Sequence, residues 1–394
     1  MFSHLQAPQQ DTILSLAIEY KNDPRPEKVD LGIGVYKNSQ GETPIMNAVQ
    51  EAQKKVIASQ NTKSYVGLAG SEEFNQRITE LLLSGTSAMS RVSAIQTPGA
   101  SGALRMLADL MKFAQPNTTV WLTDPSYVNH RPIMAAAGLK VKFYRYFDSK
   151  TKQVDTAAML EDLSGAGKDD VVLMHGCCHN PTGADINFDT WKIITELSQK
   201  NGFTPFVDIA YQGFGDGLEE DAMGLRYMAD NLEEMLITTS CSKNFGLYRE
   251  RTGAAIVVGK SLKDATNAKG KLLTLARTTY TMPPDHGAAL VNTILSDDAL
   301  KSVWASELSE MQQRLVSLRE ALCNELKLVH KSDEFNFIKA HKGMFTMLGY
   351  SPAQMTELKE KFGIYGVVDG RINIAGLKES DISYVANAIA SLSE

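Results

Sequence analysis

Between residues 94 and 259, short β-rich apolar runs alternate with helical patterns, and this alternation restricts the fold more than any other feature of the chain. The runs fall at 94–97, 119–123, 140–144, 170–175, 204–208 and 235–240, with helical patterns such as 101–114 and 189–201 between several of them. Alternation of this kind implies a mainly parallel sheet covered by helices on both faces, an α/β architecture. The run at 252–259 is expected as one further apolar strand, antiparallel at an edge.

The chain ends read differently. Leu300, Val303, Leu308, Met311, Leu315, Leu318 and Leu322 recur at helical spacing, which predicts one long helix over 298–327. The tail, 333–394, mixes strand patterns at 343–348 and 371–374 with helical ones at 352–362 and 379–392, as a smaller α+β domain would. The stretch before Pro44 is too short to fold alone, so it is expected to pack on that smaller domain or on a partner subunit. The expected division is a large domain over 44–310 and a small one built from both ends, 1–43 with 311–394.

Composition excludes several functions. A net charge of −6 with no basic run argues against general nucleic-acid binding. No apolar stretch approaches the roughly 20 residues needed to span a bilayer, and residues 1–11 lack a basic-then-apolar signal pattern. Four cysteines, two of them adjacent (Cys177 and Cys178), show neither zinc spacing nor a disulfide framework. They are expected as small buried apolar residues in a protein of the reducing cytoplasm.

The chemistry concentrates after the run at 235–240. It ends in hydroxyls (Ser240, Ser242), then Lys243, then a glycine turn, then Arg251 eight residues past the lysine. An amine at the mouth of a buried strand loses its proton near neutral pH and condenses with a carbonyl, although a solvated loop lysine is the commoner case. Ser240 and Arg251 offer donors suited to a phosphate. A Schiff-base lysine beside a phosphate cup suggests pyridoxal 5′-phosphate (PLP).

Other candidates sit where α/β sheets gather ligands, at the carboxyl ends of strands. Thr97-Pro98-Gly99-Ala100-Ser101-Gly102 joins a strand to a helix. Small residues there let backbone approach an anion at a helix N-terminus, and Ser101 alone also reads as an N-cap. Asn180 precedes Pro181 and is conformationally fixed, to bond a phenolic oxygen or a carboxylate or simply to make a turn. Asp208 closes a strand, where an unpaired carboxylate is costly. A pyridinium nitrogen would pair with it, with Tyr211 three residues on at the ring hydroxyl; a helix cap is the plain alternative. Arg277 and Arg371 have the planar fork that grips carboxylates, or serve as structural ion pairs.

In this order the pieces resemble the class I, fold-type I PLP aminotransferases, specifically their aspartate/aromatic branch. The motifs are specific: Cys-Cys-His-Asn-Pro-Thr-Gly at 177–183, Asp-Ile-Ala-Tyr-Gln-Gly-Phe at 208–214 and Ser-Cys-Ser-Lys-Asn-Phe-Gly-Leu-Tyr-Arg-Glu-Arg at 240–251. The resemblance implies that Lys243 carries the cofactor. Asp208 would meet its ring nitrogen, and Tyr211 and Asn180 its 3-oxygen. Gly99, Ala100, Ser101, Ser240 and Arg251 would surround the phosphate, joined by Tyr65 from a neighbouring subunit. Arg371 would bind the substrate α-carboxylate, and Arg277, also from the neighbour, a distal carboxylate. Gly34 would let the backbone close over substrate, and His130 would support Asp208. A homodimer with shared sites is therefore expected, acting on small amino acids and 2-oxo acids.

Two positions depart from the aspartate-preferring pattern. Tyr127 stands where tryptophan usually stacks on the cofactor ring, and covers less area. Met282 stands where an asparagine often buttresses the distal arginine, leaving Arg277 freer to move aside for an aromatic ring. The whole chain is closer to bacterial aromatic amino-acid aminotransferases. The expectation is transfer of the amino group of aromatic amino acids to 2-oxoglutarate. An aspartate aminotransferase with minor aromatic activity is the nearest rival, a PLP lyase or decarboxylase a more distant one, and a non-enzymatic regulator more distant still.

Overall fold

Seven strands form one sheet in the order Val92–Pro98, Thr252–Val258, Met235–Ser240, Thr204–Ile209, Asp170–His175, Thr119–Asp124, Lys140–Arg145. The computed structural model describes residues 2–6 and 12–392. Met1, 7–11 and 393–394, and so most of the segment read for a signal sequence, lie outside the described residues. Five strands pair in parallel from Met235–Ser240 to Lys140–Arg145. Helices such as His130–Ala136 and Phe188–Asn201 connect them.

Thr252–Val258 is antiparallel to both neighbours, as expected, but it is not at an edge. Val92–Pro98, far earlier in the chain, pairs along its outer side and takes the edge instead. All seven residues of Thr252–Val258 are buried, which an edge strand with one open side would not allow. Its apolar run signalled burial; its neighbour depends on a long-range pairing that no local pattern encodes.

The strands read as continuous apolar runs because both faces of the sheet are covered. Successive side chains alternate between faces. Val171 and Leu173 therefore join one apolar cluster while Val172 and Met174 join the other.

A third cluster lies away from the sheet. Val29 and Leu31 pack there with Leu318, Leu322, Ile372 and Ile389, so both chain ends contribute. Val29–Asp30 pairs in parallel with Ile364–Tyr365, and Phe345–Met347 antiparallel with Arg371–Asn373. The helix Asp298–His330 links the regions: Leu308, Met311 and Leu315 face the first cluster and Leu318, Leu322 and Leu326 the third. Asp297 caps its start by accepting from the Ala299 and Leu300 N–H groups. The C-terminal helix is shorter than the 379–392 pattern suggests: a 3₁₀ turn Glu379–Asp381 precedes the α-helix Ile382–Ala390. All four cysteines are free and buried. Among the described residues no helix is long and apolar enough to cross a membrane.

Candidate active site

Parallel strands place their carboxyl ends on one side of the sheet, and a cavity opens there. Tyr127, Asn180, Asp208, Tyr211 and Lys243 line it, as do Ala100, Ser101, Ser240 and Arg251.

Asp208 closes the strand Thr204–Ile209 and is buried. Its Oδ2 lies 2.8 Å from His130 Nε2, and its Oδ1 accepts from Thr238 Oγ1 at 2.8 Å. Sheet register explains the second contact, since Asp208 and Thr238 are direct partners on adjacent strands. Burial pushes the carboxyl up, but the His130 contact, the nearby His175 and the Thr238 hydroxyl outweigh it and hold Asp208 below the usual carboxylate range. His130 Nδ1 meets Ser126 Oγ at 2.9 Å, an arrangement that suits a protonated Nε2 directed at Asp208. His175 packs edge-on to His130 at 5.1 Å, and burial lowers its pKa to about 3, so it is neutral.

Lys243 is half-buried and follows the strand Met235–Ser240. Its Nζ lies 4.9 Å from the Tyr211 ring centroid. Desolvation lowers the amine to about 8; Asp208 opposes the shift and Arg251 adds to it. Tyr211 is buried, and burial pushes its phenol well up, so it remains a hydrogen-bond donor at neutral pH.

Beside these groups is an anion cradle. The helix Gly99–Ala114 begins at Gly99 with φ +69°, and no side chain caps its first N–H groups. A Cβ on Gly99 would collide with the Arg251 guanidinium, so glycine keeps this space open. Ser101 lies in the first turn rather than at the cap. Ser240 Oγ accepts from the Ser242 N–H at 3.1 Å, and Arg251 donates to the Tyr248 carbonyl at 3.0 Å. Among the described residues no carboxylate forms an ion pair with Arg251. Helix N–H groups, hydroxyls and an unneutralised guanidinium are what a phosphate requires. Together with a low-pKa lysine and a buried carboxylate, this donor set fits PLP.

Arg371 is buried, and burial lowers its pKa. It donates to Asn180 Oδ1 at 3.1 Å and to the Gly32 carbonyl at 3.2 Å, while its Nε has no partner. Among the described residues it forms no ion pair, so no carboxylate of this chain supplies the partner expected for it. Its guanidinium lies 4.4 Å from the Phe345 ring centroid. Gly34 adjoins the same ring, where a Cβ would come within 2.8 Å of Phe345 Cζ. Tyr127 is half-buried and perpendicular to His130 at 5.3 Å, with its hydroxyl accepting from Asn129 at 3.2 Å.

Two candidates are not brought to this cavity. Tyr65 is 85% exposed, and Arg277 is exposed in the last turn of the helix Leu262–Thr279. Met282 is beside the Tyr65 segment, its Sδ accepting from the Val66 N–H at 3.1 Å.

Sequence reasoning missed Thr238, Ser126, His175, Tyr248 and Phe345, and named Ser242 only as a strand-end hydroxyl. Ser242 and Tyr248 lie inside the motif around Lys243, so proximity in sequence was a usable signal. Thr238 is recognised only through strand register.

The family described as aminotransferase class I and II matches residues 26–389. The chain is 45% identical to the aromatic-amino-acid aminotransferase of Paracoccus denitrificans, over 99% of each chain. It is 41% identical to the aspartate aminotransferase of Salmonella typhi, over 100% of each. A solved aromatic-amino-acid aminotransferase of Burkholderia pseudomallei, described as covalently bound to pyridoxal phosphate, superposes with a TM-score of 0.97 at 37% identity, covering 100% of both chains. The fold is that of the fold-type I PLP enzymes. The chain belongs to the class I and II aminotransferases and is a PLP-dependent transaminase.

Proposed function

We propose that the protein is an aromatic amino-acid aminotransferase that passes the amino group of phenylalanine, tyrosine or tryptophan, and of aspartate, to 2-oxoglutarate in a ping-pong cycle. The observation that carries this reading is the half-buried Lys243 amine, lowered to about 8, between the Asp208 carboxylate and the Gly99–Arg251 cradle. The relatives named above support exchange of amino acids with both aromatic and dicarboxylic side chains.

When bound, PLP supplies a carbonyl that condenses with amines and a ring that stores the electrons released at the substrate α-carbon. Lys243 is the attachment point and, once displaced, the general base that takes the α-proton and gives it back. With a pKa of about 8, roughly a tenth of this amine is neutral at pH 7, far more than for an ordinary lysine. Asp208 stays ionised and would present its charge to the ring nitrogen. Asn180 and Tyr211 would direct donors at the 3-oxygen, and Tyr127 would stack on the ring. Gly99, Ala100, Ser101, Ser240 and Arg251 hold the phosphate, with Tyr65 from the partner subunit. Arg371 grips the α-carboxylate, Gly34 admits close backbone approach, and Arg277 of the partner subunit meets a distal carboxylate.

The exposure of Tyr65 and Arg277, and of Ile45 and Ile57, supports a homodimer with shared sites. The third apolar cluster supports a small domain of 1–43 with 311–394 beside a large domain of 44–310. The four free thiols support a cytoplasmic location. A panel of amino acids assayed with 2-oxoglutarate tests the function. A kcat/KM ratio strongly favouring aspartate over phenylalanine would instead establish an aspartate aminotransferase, which the 41% relative favours.

A further inference from the structure

Arg319 is a second buried cation behind the site, only 3% exposed. It projects from the helix Asp298–His330 and forms no ion pair among the described residues. Its donors go to backbone instead. Nη1 reaches the Ile338 carbonyl at 3.3 Å, and Nη2 reaches the carbonyls of Lys342 at 3.2 Å, Gly343 at 2.7 Å and Phe345 at 2.7 Å. One planar fork thus fixes the backbone from 338 to 345. Burying an unpaired guanidinium is expensive, and burial lowers this one to about 10. A rigid five-donor fork suits four converging carbonyls in a way that no neutral side chain matches.

This backbone leads into the cavity. The Lys342 N–H donates to the Gly183 carbonyl at 2.7 Å, on the loop that carries Asn180. The Phe345 ring then stands against three groups: 4.4 Å from the Arg371 guanidinium, edge-on to Tyr211 at 6.1 Å, and against Gly34. Arg371 has only two hydrogen-bond acceptors and an unpartnered Nε, so a ring face beneath it contributes to its placement.

We propose that Arg319 is a positioning residue for substrate-carboxylate recognition: by fixing the backbone through Phe345 it holds that ring as the platform on which Arg371 is aimed. The inference rests on the reading of Arg371 as the α-carboxylate ligand. It assigns specificity to a side chain that touches neither substrate nor cofactor.

The test uses the PLP-loaded enzyme and two amines: phenylalanine, and 2-phenylethylamine, which lacks the carboxylate. Single-turnover half-reactions, followed by cofactor absorbance, are measured for Arg319→Lys, Phe345→Leu, the double variant and Arg371→Gln. Arg319→Lys should lower kcat/KM for phenylalanine by about 10- to 100-fold, a loss typical of a misplaced binding group, and mainly through KM. The slow reaction of 2-phenylethylamine should change by less than about threefold. Phe345→Leu should show the same carboxylate-selective loss, and the double variant should be no worse than the poorer single one, because both act through one contact. Equal losses for the two amines would reduce Arg319 to structural support, and unchanged kinetics or additive losses would equally overturn the proposal. If Arg319→Lys fails to fold, the selectivity of Phe345→Leu decides alone. Arg371→Gln separates the two claims. A selective loss there without one in the other variants sinks only the role of Arg319; no selective loss there sinks the reading of Arg371 and this inference with it.

Discussion

The cofactor end of the site and its specificity end are built in opposite ways. Lys243, Asp208, Tyr211 and Ser240 sit at strand ends within one chain, buried or half-buried, with Asp208 bonded through His130 and Thr238. Arg277, proposed for the specificity end, lies on the outer surface, with nothing of the cavity around it. Groups that must be desolvated to react are placed where a sheet excludes water anyway. Arg277, proposed to meet a distal carboxylate and to move aside for an aromatic ring, is exposed, where it keeps freedom to move. Under the same proposal Met282, next to Val66, would add to that freedom because a thioether makes only weak hydrogen bonds.

This contrast breaks most directly at Lys243. Lys243→Ala should reduce transamination by at least about 10⁴-fold, since nucleophile and general base are lost together, while the fold persists. Borohydride reduction of the wild-type enzyme followed by peptide mapping should find the pyridoxyl adduct on Lys243; an adduct on another lysine would refute the assignment. Asp208→Ala should lower kcat on the order of 10²–10³-fold and cofactor retention less, by analogy with loss of one preorganised electrostatic partner. Near-normal kcat at full PLP occupancy would remove Asp208 from its role.

The surface end predicts a substrate-dependent loss. Arg277→Ala should cost aspartate and glutamate about 2–5 kcal/mol in kcat/KM, as for a truncated desolvated charge pair, and phenylalanine far less in its half-reaction. Equal losses would mean that the arginine does not switch between positions. Mixing Lys243→Ala chains with Arg277→Ala chains should restore one competent site per heterodimer; no recovery after verified subunit exchange would place Arg277 in the site of its own chain.

A milder effect sharpens the buried end. In the PLP-free protein, modification of Lys243 by an amine-directed reagent should rise with pH and level off above about 8, because only the neutral amine reacts. An inflection near 10.5 would show that the amine is solvated. The sign for stability follows from the same shift. Between about 8 and 10.5 the unfolded chain holds a proton that the folded chain has released, so this group's contribution to stability grows with pH through that window. The smallest effect is expected for Met282→Asn, which should shift preference toward aspartate by about 1 kcal/mol, the worth of one hydrogen bond to Arg277. A shift toward phenylalanine would contradict the tethering argument.

Much of the fold was legible locally. The runs at 170–175 and 235–240 match the observed strands residue for residue, because burial on both faces leaves an unbroken apolar signature. The helix over 298–327 was visible from its spacing and extends to His330, where Lys331 adopts a left-handed conformation at φ +55° and ends it. The edge position of Val92–Pro98 was not legible, because its partner lies some 150 residues later and strand order is a long-range choice. The same reason hid Thr238, whose value to Asp208 exists only once two strands lie in register.

The sequence by itself determined the chemistry at each strand end: which residue types are there, and that a lysine, an aspartate and a glycine-opened helix start recur at the carboxyl side of an α/β sheet. Those are local facts, since a strand that ends in polar residues presents them wherever it is placed. Only the tertiary structure decided how those groups are tuned. The Lys243 amine falls to about 8 through desolvation by its surroundings. Asp208 is held ionised by His130, from the start of a helix some 80 residues earlier. Arg371 rests on Phe345, whose backbone is tied to Arg319. Each of these depends on distances between groups far apart in the chain, and electrostatic energies depend on distance and on how much water remains between them.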